Sequence, residues 1–227
     1  TLTNKSAFAQ VSCTLSNIII SCGNDAQFDE LTEGILNNLY PDAINSKIGD
    51  IREAAYDTII NLVYNGNAHA LEMLSNQECV QNILESTQEA IGNKEQYRQS
   101  LVQSAVILWC GIVMAFNVEI TKETFDVVLD FLPPPPLSPM LEYVAQFSVY
   151  AAEKWPEVFD DECLLNVGIS IFATEENLIR NVRIEYMKIF AEILSRTPQE
   201  VIEELLHSDE HLMMQIQTNI EQVNAFN

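Results

Sequence analysis

The chain has 227 residues, 48% of them apolar and 19% charged, with 11 Lys plus Arg against 33 Asp plus Glu and a formal charge of -22. Such an excess of acid repels phosphate backbones and anionic headgroups, so nucleic acid and membrane are excluded as expected partners and basic ones are favoured. Glycine and proline are sparse, long stretches run without a breaker, and period-2 alternation is nearly absent, so the expected class is all-α.

Along the chain, a first helix is predicted over residues 7–20 and a second over 25–40, closed by Pro41. A third covers 51–63. A pair over 68–74 and 78–91 turns at Ser75 and Asn76, and Gly92 supplies the stop. Residues 101–113 overlap an apolar run, 105–116, that is too short to cross a bilayer and reads as a buried core helix. Thr121 is the N-cap candidate of a helix reaching Leu132. The prolines at 133–136, with Pro139, make a stiff connector between repeats; a ligand for an SH3 or WW groove is the other reading. Further helices are predicted over 141–152 and 179–194, and Pro156 and Pro198 each open a new helix, where a missing N–H costs nothing.

Catalytic patterns are absent from the sequence. Cys13, Cys22, Cys79, Cys110 and Cys163 are scattered without a C-x-x-C pair and read as reduced, buried thiols, which implies cytoplasm or nucleus. No signal peptide is expected at the start of the chain. His207 and His211 stand four apart, a spacing that can hold a metal on one helix face, but the sequence between them is not that of a His-Glu-x-x-His site. Glycine-rich phosphate loops and nucleophile elbows do not occur. The expectation is no enzyme activity, no cofactor and no metal.

Self-comparison supplies the organisation. Segments 7–20, 51–63, 101–113, 141–152 and 179–194 look like the long inward-facing helix of a helical repeat. With Asn17, Asn61, Ile112, Tyr150 and Ala191 as equivalents, the spacings are 44, 51, 38 and 41 residues, inside or near the roughly 40–47 of armadillo and HEAT repeats. The expected architecture is one right-handed α-solenoid over 1–227, with about five armadillo/HEAT-like repeats near 1–45, 46–93, 94–136, 137–174 and 175–227.

Glu53-Ala-Ala-Tyr56, continuing through Asn61, Gly66 and the Cys79 region, resembles an armadillo repeat of the importin-α (karyopherin-α) kind. Cys13-Thr-Leu-Ser-Asn17 is similar to the family's Trp-x-Leu-Ser-Asn, and Leu108-Trp109 stands where the family carries Leu-Trp. The resemblance implies a concave groove in which Asn side chains hold the backbone of an extended basic peptide and aromatic faces pack its cationic stems. It assigns peptide binding to Asn17, Tyr56, Asn61 and Trp109, with Asp57 for charge pairing. Trp109 also fits a core position, and Asn61 follows Tyr56 by five residues instead of four, a spacing that turns it away from the groove. The fourth and fifth repeats carry Phe147/Ala151 and Tyr186/Phe190 instead of a Trp–Asn pair. No stretch resembles the family's basic autoinhibitory tail, which implies a diverged relative or a fragment.

The expected function is therefore a non-catalytic protein-binding solenoid that receives a basic segment such as a nuclear localisation signal. The alternative is a scaffold segment of a larger assembly, binding through its convex face or its ends, with Leu212, Met213 and Ile216 forming an exposed apolar row. Oligomeric state is left open.

Overall fold

Apolar residues at helical spacing, uninterrupted by Gly or Pro, bury a stripe against neighbours of the same kind, and the result here is all-helical. The computed structural model describes residues 2–23, 25–129, 138–173 and 182–226, and no strand occurs among them. Residues 1–119 and 120–227 form two compact units.

The first unit holds α1 (Leu2–Ser21), α2 (Asp29–Leu39), α3 (Gly49–Tyr64), α4 (Ala68–Leu74), α5 (Gln77–Gly92) and α6 (Gln99–Phe116). The helix predicted over 25–40 is divided. The Asp25 carboxylate accepts from the Gln27 N–H at 3.0 Å and starts a single 3-10 turn, after which α2 begins. Asn67 and Asn76 accept from the amides of Ala70 and Glu78, both at 2.8 Å, and so open α4 and α5 on either side of the expected turn. Asn117, at φ 50°, closes α6 in the left-handed conformation.

Packing in this unit centres on α3, which lies against α1 and α6, while α5 packs on α6 and α2 on α4. Gly111 permits the close approach of α6 to α3. A Cβ there would stand 2.6 Å from Tyr64 Cε2, and the Tyr64 hydroxyl donates to the Ile107 carbonyl at 3.0 Å. The 18 residues of α6 meet the length and hydropathy of a bilayer span. The run at 105–116 is thus part of a longer apolar helix than expected, and its burial against α3 and α5 gives it a core role.

Among the described residues of the first unit, one charged side chain is buried. Arg52 is 4% exposed. Its guanidinium donates to the Tyr56 hydroxyl at 2.7 Å, Glu89 at 2.6 Å, the Tyr97 hydroxyl at 3.0 Å and the Ser86 carbonyl at 2.5 Å. Ser86 Oγ in turn donates to the Ile44 carbonyl at 2.6 Å. A buried cation is tolerable only when its donors are met, and this one ties α3 to α5 and to the turn before α6.

The second unit holds α7 (Lys122–Leu129), α8 (Ser138–Lys154), α9 (Asp161–Phe172), α10 (Ile184–Arg196), α11 (Gln199–Leu205) and α12 (Glu210–Asn224). Thr121 accepts from the Thr124 N–H at 3.3 Å, as its N-cap role requires. The end of the helix predicted to Leu132 and the prolines at 133–136 lie outside the described residues. Pro198 stands immediately before α11, but Pro156 does not open a helix. It sits in a turn, and α9 starts at Asp161 because Asp160 accepts from the amides of Glu162 and Cys163. The start of the helix predicted at 179 falls outside the described residues, and α10 itself begins at Ile184. Arg183 is extended there, its N–H bound to Glu142 of α8 at 2.6 Å. Rings of Phe125, Phe147, Phe159 and Trp155 meet at centroid distances of 5.1 to 5.9 Å, within the range of favourable aromatic pairs.

Three sequence expectations are corrected. His207 and Ser208 are left-handed at φ 52° and 57° between α11 and α12, so His207 and His211 share no helix face. Ile216 is 3% exposed and Leu212 and Met213 are half-buried, so the three form no exposed row, while Met214 beside them is 71% exposed. Cys22 is exposed, whereas Cys110 and Cys163 are buried.

Replacing Arg52 by Ala removes the guanidinium bonds to Tyr56, Ser86, Glu89 and Tyr97 and lowers unfolding free energy by about 2–4 kcal/mol in chemical denaturation. Arg52→Lys recovers little of this, since a point cation cannot reproduce the guanidinium fork. Gly111→Ala displaces Tyr64 and costs about 1–2 kcal/mol, the overpacking outweighing the gain in helix propensity.

Candidate functional site

Helical periodicity divides α3 into two polar faces. Arg52 and Tyr56, four apart, turn toward α5, while Asp50, Glu53 and Asp57, at i, i+3 and i+7, share another face. The acidic face lines a cleft of about 430 Å³ whose opposite wall carries Gln10, Thr14 and Asn17 of α1, with Arg98 also lining it. Cys13 and Ala54 complete the lining.

The carboxylates differ in setting. Arg98 Nη2 lies 2.5 Å from Asp50 and 2.8 Å from Glu53. Asp57, half-buried, accepts from the Ser104 hydroxyl of α6 at 2.6 Å, and among the described residues no Lys or Arg is ion-paired with it. Burial pushes its pKa above the ordinary carboxylate value; the Ser104 bond opposes the rise and the Glu53 charge adds to it. The Cys13 thiol is raised by burial and then by Asp57, which keeps it protonated rather than nucleophilic. Among the described residues no three His, Cys, Asp or Glu side chains are placed to hold a metal. What the cleft offers is negative charge and hydrogen bonds, the equipment for holding a cationic side chain.

Of the residues singled out in the sequence, the structure brings Asn17 and Asp57 together on the two walls of this cleft. Asn17 is exposed, and its amide donates to the Cys13 carbonyl at 3.0 Å; a second donor and an acceptor remain in its inventory. Asn61 is elsewhere. Its amide donates to the buried Ser16 hydroxyl at 3.1 Å, so it fastens α3 to α1. Tyr56 and Trp109 are 0% and 1% exposed, which corrects their assignment as groove aromatics: neither offers a ring face to a peptide stem. Tyr56 is consumed by Arg52 and Ser86, and Trp109 lies in the core-facing stretch of α6.

Asp50, Glu53, Thr14, Gln10, Arg98 and Ser104 were not singled out. The i, i+3, i+7 spacing of the three acids within one predicted helix was the available signal for the first two. Nothing in the sequence announces Arg98 or Ser104, which arrive from before and within α6. A second cleft, of about 450 Å³, includes Arg52, Ser86, Glu89 and Tyr97, and these four are hydrogen-bonded to one another. Comparison of the chain with protein-family models, with curated proteins and with solved structures found no match.

Two measurements check these placements. A raised folded-state value means that Asp57 contributes most to stability below the ordinary carboxylate range, and that contribution is lost as pH rises through the folded value. Melting temperature of the wild type therefore falls relative to Asp57→Asn as pH rises above about 4, the ordinary aspartate value. Trp109→Ala lowers unfolding free energy by about 3–5 kcal/mol, the cost of emptying a core position.

Proposed function

We propose that this chain is a non-catalytic protein-binding module, a solenoid of about five armadillo/HEAT-like repeats, whose acidic cleft between α1 and α3 receives an extended basic segment of a partner. The resemblance to importin-α repeats in the region of Glu53–Asn61 and Cys13–Asn17 favours a segment of the nuclear-localisation type, and with it residence in the cytoplasm or nucleus. The observation that carries the reading is the alignment of Asp50, Glu53 and Asp57 along one wall, opposite Asn17. A carboxylate with no cationic partner, held at a partly desolvated position, gains more from an incoming cation than an exposed one does.

Solenoid architecture is supported, within the first unit, by long helices α1, α3 and α6 packed in succession, with the shorter α2 and α4 paired with each other. The charge of -22 supports a basic partner through attraction at a distance. Two departures shape the mode of binding. With Tyr56 and Trp109 buried, recognition rests on carboxylates and on the Asn17 amide, not on stacking of cationic stems. Binding of this kind is electrostatic and sensitive to salt.

A scaffold role is the second reading, favoured by exposed apolar side chains on α1 (Val11 52%, Ile18 47%) and near the C-terminus (Leu205 42%, Met214 71%).

Fluorescence anisotropy of a labelled Lys/Arg-rich peptide tests the first reading, with an acidic scrambled peptide as control. Saturable binding at roughly micromolar affinity is expected, falling steeply as salt rises. The double variant Asn17→Ala, Asp57→Asn weakens it about tenfold or more while remaining folded. Absence of saturable binding at low salt refutes the peptide reading and leaves the scaffold.

A further inference from the structure

We propose that Arg98 is an internal occupant of the cleft: its guanidinium fills the cation subsite formed by Asp50 and Glu53, and a basic partner binds by displacing it. This rests on the peptide-binding reading above and specifies how that site is regulated.

Arg98 Nη2 reaches both carboxylates at once, at 2.5 Å to Asp50 and 2.8 Å to Glu53. It thereby makes the contact that an arginine of a bound segment would make. Its place in the chain is electrostatically unfavourable. Arg98 is the N-cap residue of α6, at φ -66° and ψ 146°, and its side chain makes no capping bond. That position favours Ser, Thr, Asp or Asn, and the helix dipole repels a cation there. Arginine at this point is compensated only by the acids across the cleft, and local disfavour of that kind is typical of functional positions.

The contact is also built to exchange. Arg98 and Asp50 are 60% and 58% exposed at the side chain, and exposed pairs are weak because water and salt screen them. Release leaves Arg98 solvated at no large cost, while the partner's cation takes the vacated carboxylates. Asp57, one turn further along α3, is not ion-paired by Arg98, so a partner can engage Asp57 first and Glu53 and Asp50 afterwards. Arg98 then acts as a threshold. A segment with a single basic residue engages Asp57 alone, whereas one with several recovers the whole wall.

The test uses the same Arg-rich peptide against the wild type, Arg98→Ala, Arg98→Gln and Lys47→Ala, the last removing an equal charge from an exposed residue outside this cleft. Both Arg98 variants are expected to bind about three- to tenfold tighter than the wild type, and Lys47→Ala to gain clearly less. Thermal melts verify that each variant is folded, and Arg98→Gln retains most of the side-chain stem if Arg98→Ala is impaired. Tightening by Arg98→Ala and Arg98→Gln no larger than that by Lys47→Ala reduces the effect to net charge and overturns the proposal. Wild-type binding with unchanged or weaker affinity in the Arg98 variants also overturns it while leaving the peptide reading intact. Binding by the Arg98 variants alone supports both. No binding by any form refutes the peptide reading and the proposal together.

Discussion

The cation buried beneath α3 governs the arrangement of the first unit. A guanidinium removed from water must have its donors satisfied, and Arg52 finds acceptors on its own helix, on α5 and on the turn before α6. Meeting that demand fixes the rotation of α3 about its axis. Once Arg52 and Tyr56 face α5, helical geometry directs Asp50, Glu53 and Asp57 to the side shared with α1. The acidic wall is therefore a geometric consequence of a structural requirement on a neighbouring face, and the two faces cannot be adjusted independently.

The electrostatics of the wall follow from where each carboxylate lies. Asp50 is in water and is cheaply neutralised. Glu53 is largely covered, at 21% side-chain exposure, and shares the same guanidinium. Asp57 is half-buried and accepts a hydroxyl from α6. Asp50 is thus solvent-screened while Glu53 and Asp57 are partly desolvated, and a cation is attracted more strongly at the covered positions. In the binding mode proposed above, long-range attraction from a chain of charge -22 would favour a basic segment.

Periodicity made the helical class and most element positions readable from the chain: 51–63 became Gly49–Tyr64, and 68–74 was placed to the residue. The misplacements have local causes. Asp25 divides a helix because a carboxylate can cap a single turn, and Asp160 rather than Pro156 starts α9 because two amides are available to it. Tyr56 and Trp109 were read as groove aromatics by resemblance, but a hydroxyl that can satisfy a buried guanidinium and an indole in the apolar stretch of α6 are both better placed inside. Asn17 and Asp57, assigned by the same resemblance, lie on the two walls of the cleft. Arg98 was not, since its partners are more than forty positions earlier and only tertiary structure joins them.

The bond between Asn61 and Ser16 has a consequence for how the cleft meets a visitor. It joins α3 to α1 one turn beyond Asp57, outside the residues that line the cleft, and so helps to fix the separation of the two helices that form its walls. A receptacle whose width is fixed in advance loses little conformational freedom on loading, and its selectivity then depends on reach and charge instead of moulding.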